Sequence, residues 1–275
     1  MRAEQLTAPV AHHGEGPVWD DDAGRLLLVD LLAGAVVALT DGEPTRHRVG
    51  AVAGCLRLRT DGGAVVATER GFVLTDPDLD VVETLPDVCD DPGVRMNDGA
   101  CDPQGRFYAG TMAYAETPGA GRLFRLDPDR SVHEVRTGLT IANGLGWSVD
   151  GTTAFHVDTP TGRIDRLPFD ADTGTFGAPS PFATVTGLPD GLAVDTEDGV
   201  WVALWDGAAV HRYDSTGRLD AVVELPVRRP TACAFGPEGL YITTSAVDQT
   251  DDPAAGAVFV VQPAVAGRPV GRYAG

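Results

Sequence analysis

Three short segments place an oxygen-bearing side chain next to a glycine and just ahead of an apolar run. They are Glu15 in GEGPVWD, Asn143 in ANGLGWS and Asp190 in PDGLAVD. Two carboxylates and an amide oxygen are hard ligands, suited to calcium, magnesium or manganese, and zinc or iron(II) also accepts them. Their combined charge of about −2 would balance one divalent cation. Each dipeptide alone is also an ordinary turn former, so a metal site requires that the three positions meet in space.

A second polar segment, RMNDG, contains Arg95 and Asn97. A guanidinium and an amide can hold the hydroxyl groups or the carboxylate of a small substrate. Arg95 could equally be a paired residue at the rim of a domain. Asp98, which follows, is expected to stabilise the local backbone or a neighbouring ligand rather than to bind a metal itself.

A phrase that recurs six times indicates which elements must position these residues. It consists of a turn with Asp or Pro and Gly, followed by an alternating apolar strand, as in DPQGRFYAGTM. The successive copies are marked by Asp22, Asp61, Asp102, Asp150, Asp195 and Pro237. The markers are 39 to 48 residues apart, a period typical of four-stranded propeller blades.

We therefore predict an all-β fold, a six-bladed β-propeller formed by residues 1–275 as a single domain. Each phrase follows a short apolar segment that would be the innermost strand of a blade. Glu15, Asn143 and Asp190 occupy equivalent places at the starts of three such strands, which would bring them together around the central channel. A β-sandwich or a β-solenoid would not return one phrase six times at this spacing.

Composition argues against several classes of partner. The net charge of −19 disfavours nucleic acids and anionic membrane surfaces. The first twenty residues lack the basic start and apolar core of a secretory signal, and no run of about 18 apolar residues predicts a membrane span. We expect a soluble, cytoplasmic protein.

Other catalytic motifs find no support in the sequence. The four cysteines form no C-x-x-C pair, so we expect free, mostly buried thiols. The histidines form no H-E-x-x-H motif, although His13 could line the mouth of the channel. No serine stands in a G-x-S-x-G setting, and no P-loop or G-x-G-x-x-G segment opens a helix.

The motifs together resemble one known family. HHGEGPVWD, RMNDGACDPQGRFYAGTM, GLTIANGLGWSVDG and LPDGLAVDTEDGVWVALWDG are similar to segments of the regucalcin (senescence marker protein 30), gluconolactonase and luciferin-regenerating enzyme family. The similarity runs in order from about residue 11 to residue 275, and the terminal RYAG also matches the end of regucalcin.

This resemblance implies roles for individual residues. Glu15, Asn143 and Asp190 would hold one divalent cation, and Arg95 and Asn97 would bind substrate. Asp190 would also be the proton acceptor. A further acidic substrate contact of the family falls in MAYAETPG, where Glu116 is the nearest acid but stands one residue out of place.

The expected activity is metal-dependent hydrolysis of sugar lactones, in which the cation polarises the carbonyl and Asp190 activates water. A hydroxide on the cation is the other candidate base. Two alternatives remain at this stage: a phosphotriesterase of the organophosphate-hydrolase kind on the same fold, and a non-catalytic calcium- or ligand-binding propeller. The identity of the cation, the lactone and the oligomeric state are left open.

Overall fold

The fold consists almost entirely of β-strands. It was obtained as a computed structural model, which describes residues 1–249 and 251–275. The strands of the first half are β1 Glu4–Gln5, β2 Gly14–Asp20, β3 Arg25–Asp30, β4 Ala35–Thr40, β5 Glu43–Arg48, β6 Ala53–Leu58, β7 Ala64–Thr68, β8 Phe72–Thr75, β9 Val81–Thr84, β10 Val94–Cys101, β11 Phe107–Ala113, β12 Gly121–Leu126 and β13 Val132–Leu139.

The second half continues the same pattern. Its strands are β14 Ala142–Trp147, β15 Thr153–Asp158, β16 Arg163–Asp170, β17 Thr175–Phe176, β18 Ser180–Thr184, β19 Leu188–Val194, β20 Val200–Trp205, β21 Ala209–Tyr213, β22 Leu219–Glu224, β23 Pro230–Gly236, β24 Gly239–Thr244 and β25 Phe259–Val261. The only helical segments in the described residues are two 3-10 turns, Leu31–Ala33 and Thr159–Thr161. Neither is long and apolar enough to cross a membrane.

The strands form six antiparallel sheets, which confirms the predicted six-bladed β-propeller. Blades 1, 2, 3 and 5 are β2–β5, β6–β9, β10–β13 and β19–β22; blade 4 is β14–β16 with β17 and β18 at its edge. Blade 6 combines β23–β25 with the N-terminal strand β1, which pairs with β25. The innermost strands contact one another in sequence, and β23 contacts β2, so the ring is closed.

Each recurring phrase forms the hairpin between the first and second strands of its blade. In blade 3, for example, the Asp102 side chain accepts hydrogen bonds from the backbone N–H groups of Gln104 and Arg106. An aspartate side chain that binds the backbone two or more residues ahead stabilises such a tight turn. The spacing of the phrases is therefore the spacing of the blades.

Burial decreases from the channel to the rim of each blade. In blade 1, β3 (RLLLVD) and β4 (AVVALT) are almost wholly buried, whereas β5 (EPTRHR) is largely exposed. Inner strands are covered on both faces by the neighbouring blades, so they have continuous apolar runs instead of strict alternation. Leu27 and Val36 of blade 1 pack on Leu56 and Val66 of blade 2, and similar apolar clusters fill the other spaces between blades.

The C-terminal segment crosses the end of the channel where the inner strands finish. The backbone of Ala266 accepts a hydrogen bond from Thr196 N in the first hairpin of blade 5. Further on, Tyr273 is fully buried, and its backbone pairs with Leu58 and Thr60 of blade 2. The predicted metal site lies at the other end of the channel, where the inner strands begin.

Candidate metal and substrate site

Every inner strand is interrupted by a bulge near its start. The register of pairing shifts between Glu15 and Val18, Ala53 and Cys55, Met96 and Gly99, Ala142 and Leu145, Pro189 and Leu192, and Pro230 and Cys233. A bulge leaves a residue unpaired and re-aims its side chain. Asn97, Asn143 and Asp190 all stand inside bulges, and Glu15 is the last paired residue before one.

The glycines next to these residues are needed for the conformation and packing of the bulges, and they do not form hairpin turns. Gly16 adopts a φ of 51°, a left-handed conformation that costs glycine little. Gly144 serves a different need, since a Cβ there would lie 2.7 Å from the backbone oxygen of Asp190. The bulges of blades 4 and 5 can approach this closely only because Gly144 has no side chain.

The three predicted metal ligands are buried and come from blades 1, 4 and 5. Glu15 is 5 % exposed, and Asn143 and Asp190 are each 6 % exposed. Among the residues that the structure describes, neither carboxylate forms an ion pair with Lys, Arg or His. Buried charges without a partner are costly, so this pair of acids requires protons or a cation.

The buried carboxyl groups of Glu15 and Asp190 have raised pKa values. Burial raises the pKa of the Glu15 carboxyl well above its ordinary value, and the charges of Asp190 and Asp98 raise it further. Burial is likewise the main cause of the raised pKa of Asp190, followed by the charge of Asp98, while Arg95 opposes the shift. The Asp190 carboxyl is therefore near enough for its charge to act on Glu15.

Asn143 is held in one orientation by its neighbours. Its Nδ2 donates to Thr159 Oγ1 at 2.9 Å, and Thr159 Oγ1 in turn donates to the backbone oxygen of Pro189 at 2.8 Å. Its Oδ1 accepts a hydrogen bond of 3.0 Å from Asn97 Nδ2 and keeps a second lone pair. The amide nitrogen bonds Thr159 and also the Asp190 carboxyl, so the oxygen is the end available as a ligand.

Arg95 and Asn97 extend this network. Arg95 Nη1 donates to Asn97 Oδ1 at 2.7 Å and to the backbone oxygen of Met96 at 3.0 Å. The Arg95 guanidinium carbon lies 5.9 Å from the centre of the Tyr114 ring. Arg95 is therefore a buried, oriented cation in contact with the predicted metal ligands through Asn97.

Glu116 differs from the other predicted residues because it is exposed. It lies in the loop between β11 and β12 with a φ of 52°. Its charge is near enough to raise the pKa of Arg95, although burial has the larger, opposite effect on that group. The structure thus puts Glu116 at the edge of the site, outside the buried group.

Three further residues of the site were missed or only weakly indicated by the sequence. No sequence motif pointed to Thr159, because it lies in the 3-10 turn between β15 and β16 and contacts Asn143 on β14. Asp98 accepts a 2.7 Å hydrogen bond from Gly99 N, and burial raises the pKa of its carboxyl against the opposing charge of Arg57. His13 Nδ1 lies 2.8 Å from Ser245 Oγ, and its ring centre is 5.5 Å from that of Trp205.

His13 is neutral in this environment. Burial and then the charge of Arg95 lower its pKa to about 3. A neutral imidazole adds no charge to the site and can donate or accept a hydrogen bond. The expectation that His13 lies near the mouth of the channel agrees with its position one residue before β2.

The donor set fits a hard divalent cation. Within residues 1–249 and 251–275, no group of three or more His, Cys, Asp and Glu side chains is arranged to hold a metal, so an amide oxygen is needed to complete a set of three. Two carboxylates and one oriented amide oxygen supply all-oxygen coordination of the kind that calcium, magnesium and manganese prefer. A divalent ion of this class could replace the protons that burial favours on Glu15 and Asp190.

The chain belongs to the family described as SMP-30/Gluconolactonase/LRE-like region, whose family model matches residues 13–246. It is 34 % identical to regucalcin from Xenopus laevis over 270 residues, which cover 92 % of this chain and 89 % of that protein. It is 35 % identical to a pentonolactonase from Haloferax volcanii over 275 residues, covering 93 % and 92 % of the two chains.

Solved structures agree with this assignment. A protein described as a calcium-binding regucalcin from Agrobacterium tumefaciens superposes with a TM-score of 0.90 at 30 % identity, over 98 % of this chain and 97 % of that one. The resemblance noted in the sequence motifs is therefore confirmed at the level of family and fold.

Proposed function

We propose that the protein is a divalent-metal-dependent hydrolase of sugar lactones, with Glu15, Asn143 and Asp190 as the metal ligands. The observation that carries the proposal is the pair of buried carboxylates without an ion-pair partner, joined by an amide whose oxygen is oriented by Thr159. The pentonolactonase among the relatives supports a lactone as the substrate.

The bound cation would polarise the lactone carbonyl and stabilise the negative charge that develops on its oxygen. Arg95 and Asn97 orient the hydroxyl groups of the sugar in this proposal, since both are buried and linked by hydrogen bonds to the predicted ligand Asn143. Asp190 takes a proton from the attacking water. The acyl C–O bond of the ring then breaks, the ring oxygen receives the proton, and an aldonic acid leaves.

Asp190 has two roles in this proposal, and these roles conflict. A carboxylate that binds a cation is a weaker base than a free one. Burial and the charge of Asp98 increase its basicity instead, because they raise the pKa of Asp190. A raised pKa brings a carboxylate closer to the range in which a general base is effective near neutral pH.

Replacement of Asp190 by Asn tests the assignment. We expect Asp190→Asn to lower kcat/KM for sugar lactones at least about a hundredfold, the smaller end of what a general base contributes. The measurement is a pH-indicator assay on a panel of sugar lactones with calcium, magnesium, manganese, iron(II) or zinc. Asp78→Asn, at an exposed turn in blade 2, is the matched control and should keep full activity.

Full lactonase activity in folded Asp190→Asn would refute its assigned role. Cation binding by the wild-type protein without hydrolysis of any lactone would instead support a non-catalytic binding propeller. Turnover of an organophosphate in the same assay, with none on lactones, would point to phosphotriester hydrolysis.

A further inference from the structure

A cavity lies inside the propeller at the end of the inner strands opposite the proposed metal site. It has a volume of about 160 Å³ and is lined by the later residues of those strands and by the crossing C-terminal segment. Apolar walls are provided by Leu145, Leu192 and Phe235, and polar groups by Arg57, Trp147 and Arg268. None of these residues belongs to the proposed metal site.

Arg57 brings a buried positive charge to this cavity. It is 8 % exposed, and Nη1 donates to the backbone oxygen of Leu56 at 2.6 Å. Its Nε is buried and has no hydrogen-bond partner in the structure. Within the described part of the chain, Arg57 forms no ion pair closer than 4.0 Å.

Trp147 also lines the cavity and connects it to Arg268. Its side chain is 5 % exposed, and the indole Nε1 is buried without a hydrogen-bond acceptor. Arg268 Nη1 donates to the backbone oxygen of Trp147 at 2.9 Å, which brings a second guanidinium to the same wall. Arg57 and Arg268 thus bring two guanidinium groups to one cavity.

The acids near the cavity do not neutralise these donors. Asp102 also lines it, but its carboxylate accepts from Arg106 Nε at 2.5 Å and from Tyr108 Oη at 3.1 Å. Asp98 is close enough for Arg57 to influence its carboxyl, yet it stands in the bulge near the start of β10, on the side of the metal site. The cavity therefore has a positive excess and donors that need acceptors.

We propose that this cavity binds a small oxyanion, whose oxygens accept hydrogen bonds from the guanidinium groups of Arg57 and Arg268 and which lies beside Trp147. A planar fork of guanidinium donors matches a carboxylate or a phosphate-like group. The volume suits an anion the size of phosphate or a short carboxylic acid. This binding site is independent of the proposed lactonase activity.

Indole N–H resonances can test the proposal directly. The chain has four tryptophans, so protein labelled with ¹⁵N-tryptophan should show four indole signals, and Trp147→Phe identifies one of them. Phosphate and acetate are titrated separately against sodium chloride at constant ionic strength. We expect the Trp147 signal to shift saturably with at least one of the two anions, and which of them does so distinguishes an inorganic oxyanion from a carboxylate.

Two matched variants separate specific binding from general charge effects. Arg268→Gln should weaken the anion affinity about tenfold, as loss of a charge-assisted hydrogen bond does. Arg48→Gln, which removes the same charge from the exposed outer strand of blade 1, should leave it unchanged. The inference is overturned if neither anion shifts Trp147 saturably or if both variants behave alike. It is also overturned if only Trp205, beside His13 at the other end, responds.

Discussion

At Asn143, the orientation of one amide decides whether the site can hold a cation. Oxygen and nitrogen occupy nearly the same space at the end of this side chain, but only the oxygen coordinates a metal. The hydrogen bond to Thr159 and the one from Asn97 both favour the orientation with the oxygen free to coordinate. Thr159 is thus a positioning residue for the proposed metal site.

Removal of the Thr159 hydroxyl should weaken cation binding while the propeller stays folded. Thr159→Val keeps the shape of the side chain but removes one acceptor of Asn143 Nδ2, whose remaining partner is the Asp190 carboxyl. We expect the Kd for manganese, measured by calorimetry on chelator-treated protein, to rise about tenfold, in line with the loss of other groups that orient metal ligands. Thr161→Val, in the same 3-10 turn but exposed, should bind as the wild type does; equal Kd values for the two variants would refute the positioning role.

The raised pKa values of Glu15 and Asp190 predict how stability depends on pH. The cation-free folded protein retains protons that the unfolded chain has already released. Its free energy of unfolding should therefore fall as pH rises from about 4, the ordinary carboxyl pKa, through the raised values. A divalent cation should cancel this loss, because it replaces the protons.

Thermal unfolding across this pH range, with EDTA or with excess cation, measures the effect. We expect the increase in Tm on adding cation to grow as pH rises, and to be much smaller in Glu15→Gln. An increase that is independent of pH, or equal in Glu15→Gln, would show that these carboxyls do not bind the ion.

At the scale of the element, the β-bulge is the feature that allows an inner strand to present a metal ligand. A regular strand would alternate its side chains between the two faces of the blade. Because the pairing register shifts at the bulges, Asn97, Asn143 and Asp190 do not follow that alternation. The close packing of neighbouring bulges, as at Gly144 against Asp190, then fixes the distance between donors of adjacent blades.

Gly144→Ala should therefore damage both stability and the site. Its Cβ would meet the backbone of Asp190 at 2.7 Å and Leu192 N at 2.8 Å, and neither backbone atom can move freely. We expect a loss of about 1–3 kcal/mol in the free energy of unfolding, as for other overpacked sites, together with weaker cation binding. Gly93→Ala, in an exposed loop with only the Asp91 side chain nearby, is the control; wild-type urea unfolding in Gly144→Ala would contradict this account of the bulges.

The sequence predicted these elements only in part. Spacing of the Asp-Gly phrases was sufficient to predict six blades, because a hairpin turn is a local feature with local side-chain contacts. Glu15, Asn143 and Asp190, each followed by a glycine, could be interpreted as turn residues or as ligands. A bulge has no distinct sequence motif, because it uses the same glycines as a turn. Thr159 could not be found at all, because its link to Asn143 depends on how β14 and the turn after β15 pack together.

At the scale of the whole molecule, the propeller brings residues together that are far apart in the chain. Glu15 and Asn143 are related by the repeat, as their surroundings show: Asp30 accepts from His13 N, and Asp158 accepts from Ile141 N in the same way. Blades 1 and 4 lie opposite each other in a ring of six, so equivalent positions face each other across the axis. Donors separated by more than a hundred residues thereby share one space.

The two ends of the channel have opposite character. The end where inner strands begin carries three carboxyl groups, Glu15, Asp98 and Asp190, and one guanidinium, Arg95. The other end carries Arg57 and Arg268 beneath the C-terminal segment, and its one acid, Asp102, is paired with Arg106. This polarity matches a cation at one end and an anion at the other. Exposed Glu116 lies in a loop outside both, so its proposed contact with substrate depends on the conformation of that loop.

Anomalous diffraction from a crystal soaked in manganese would locate the proposed cation site. We expect one strong peak in the channel, with oxygens of Glu15, Asn143 and Asp190 all about 2.0–2.6 Å from it, the range for hard cations and oxygen ligands. A peak at any other place, or none at a concentration that saturates related sites, would contradict the proposed site.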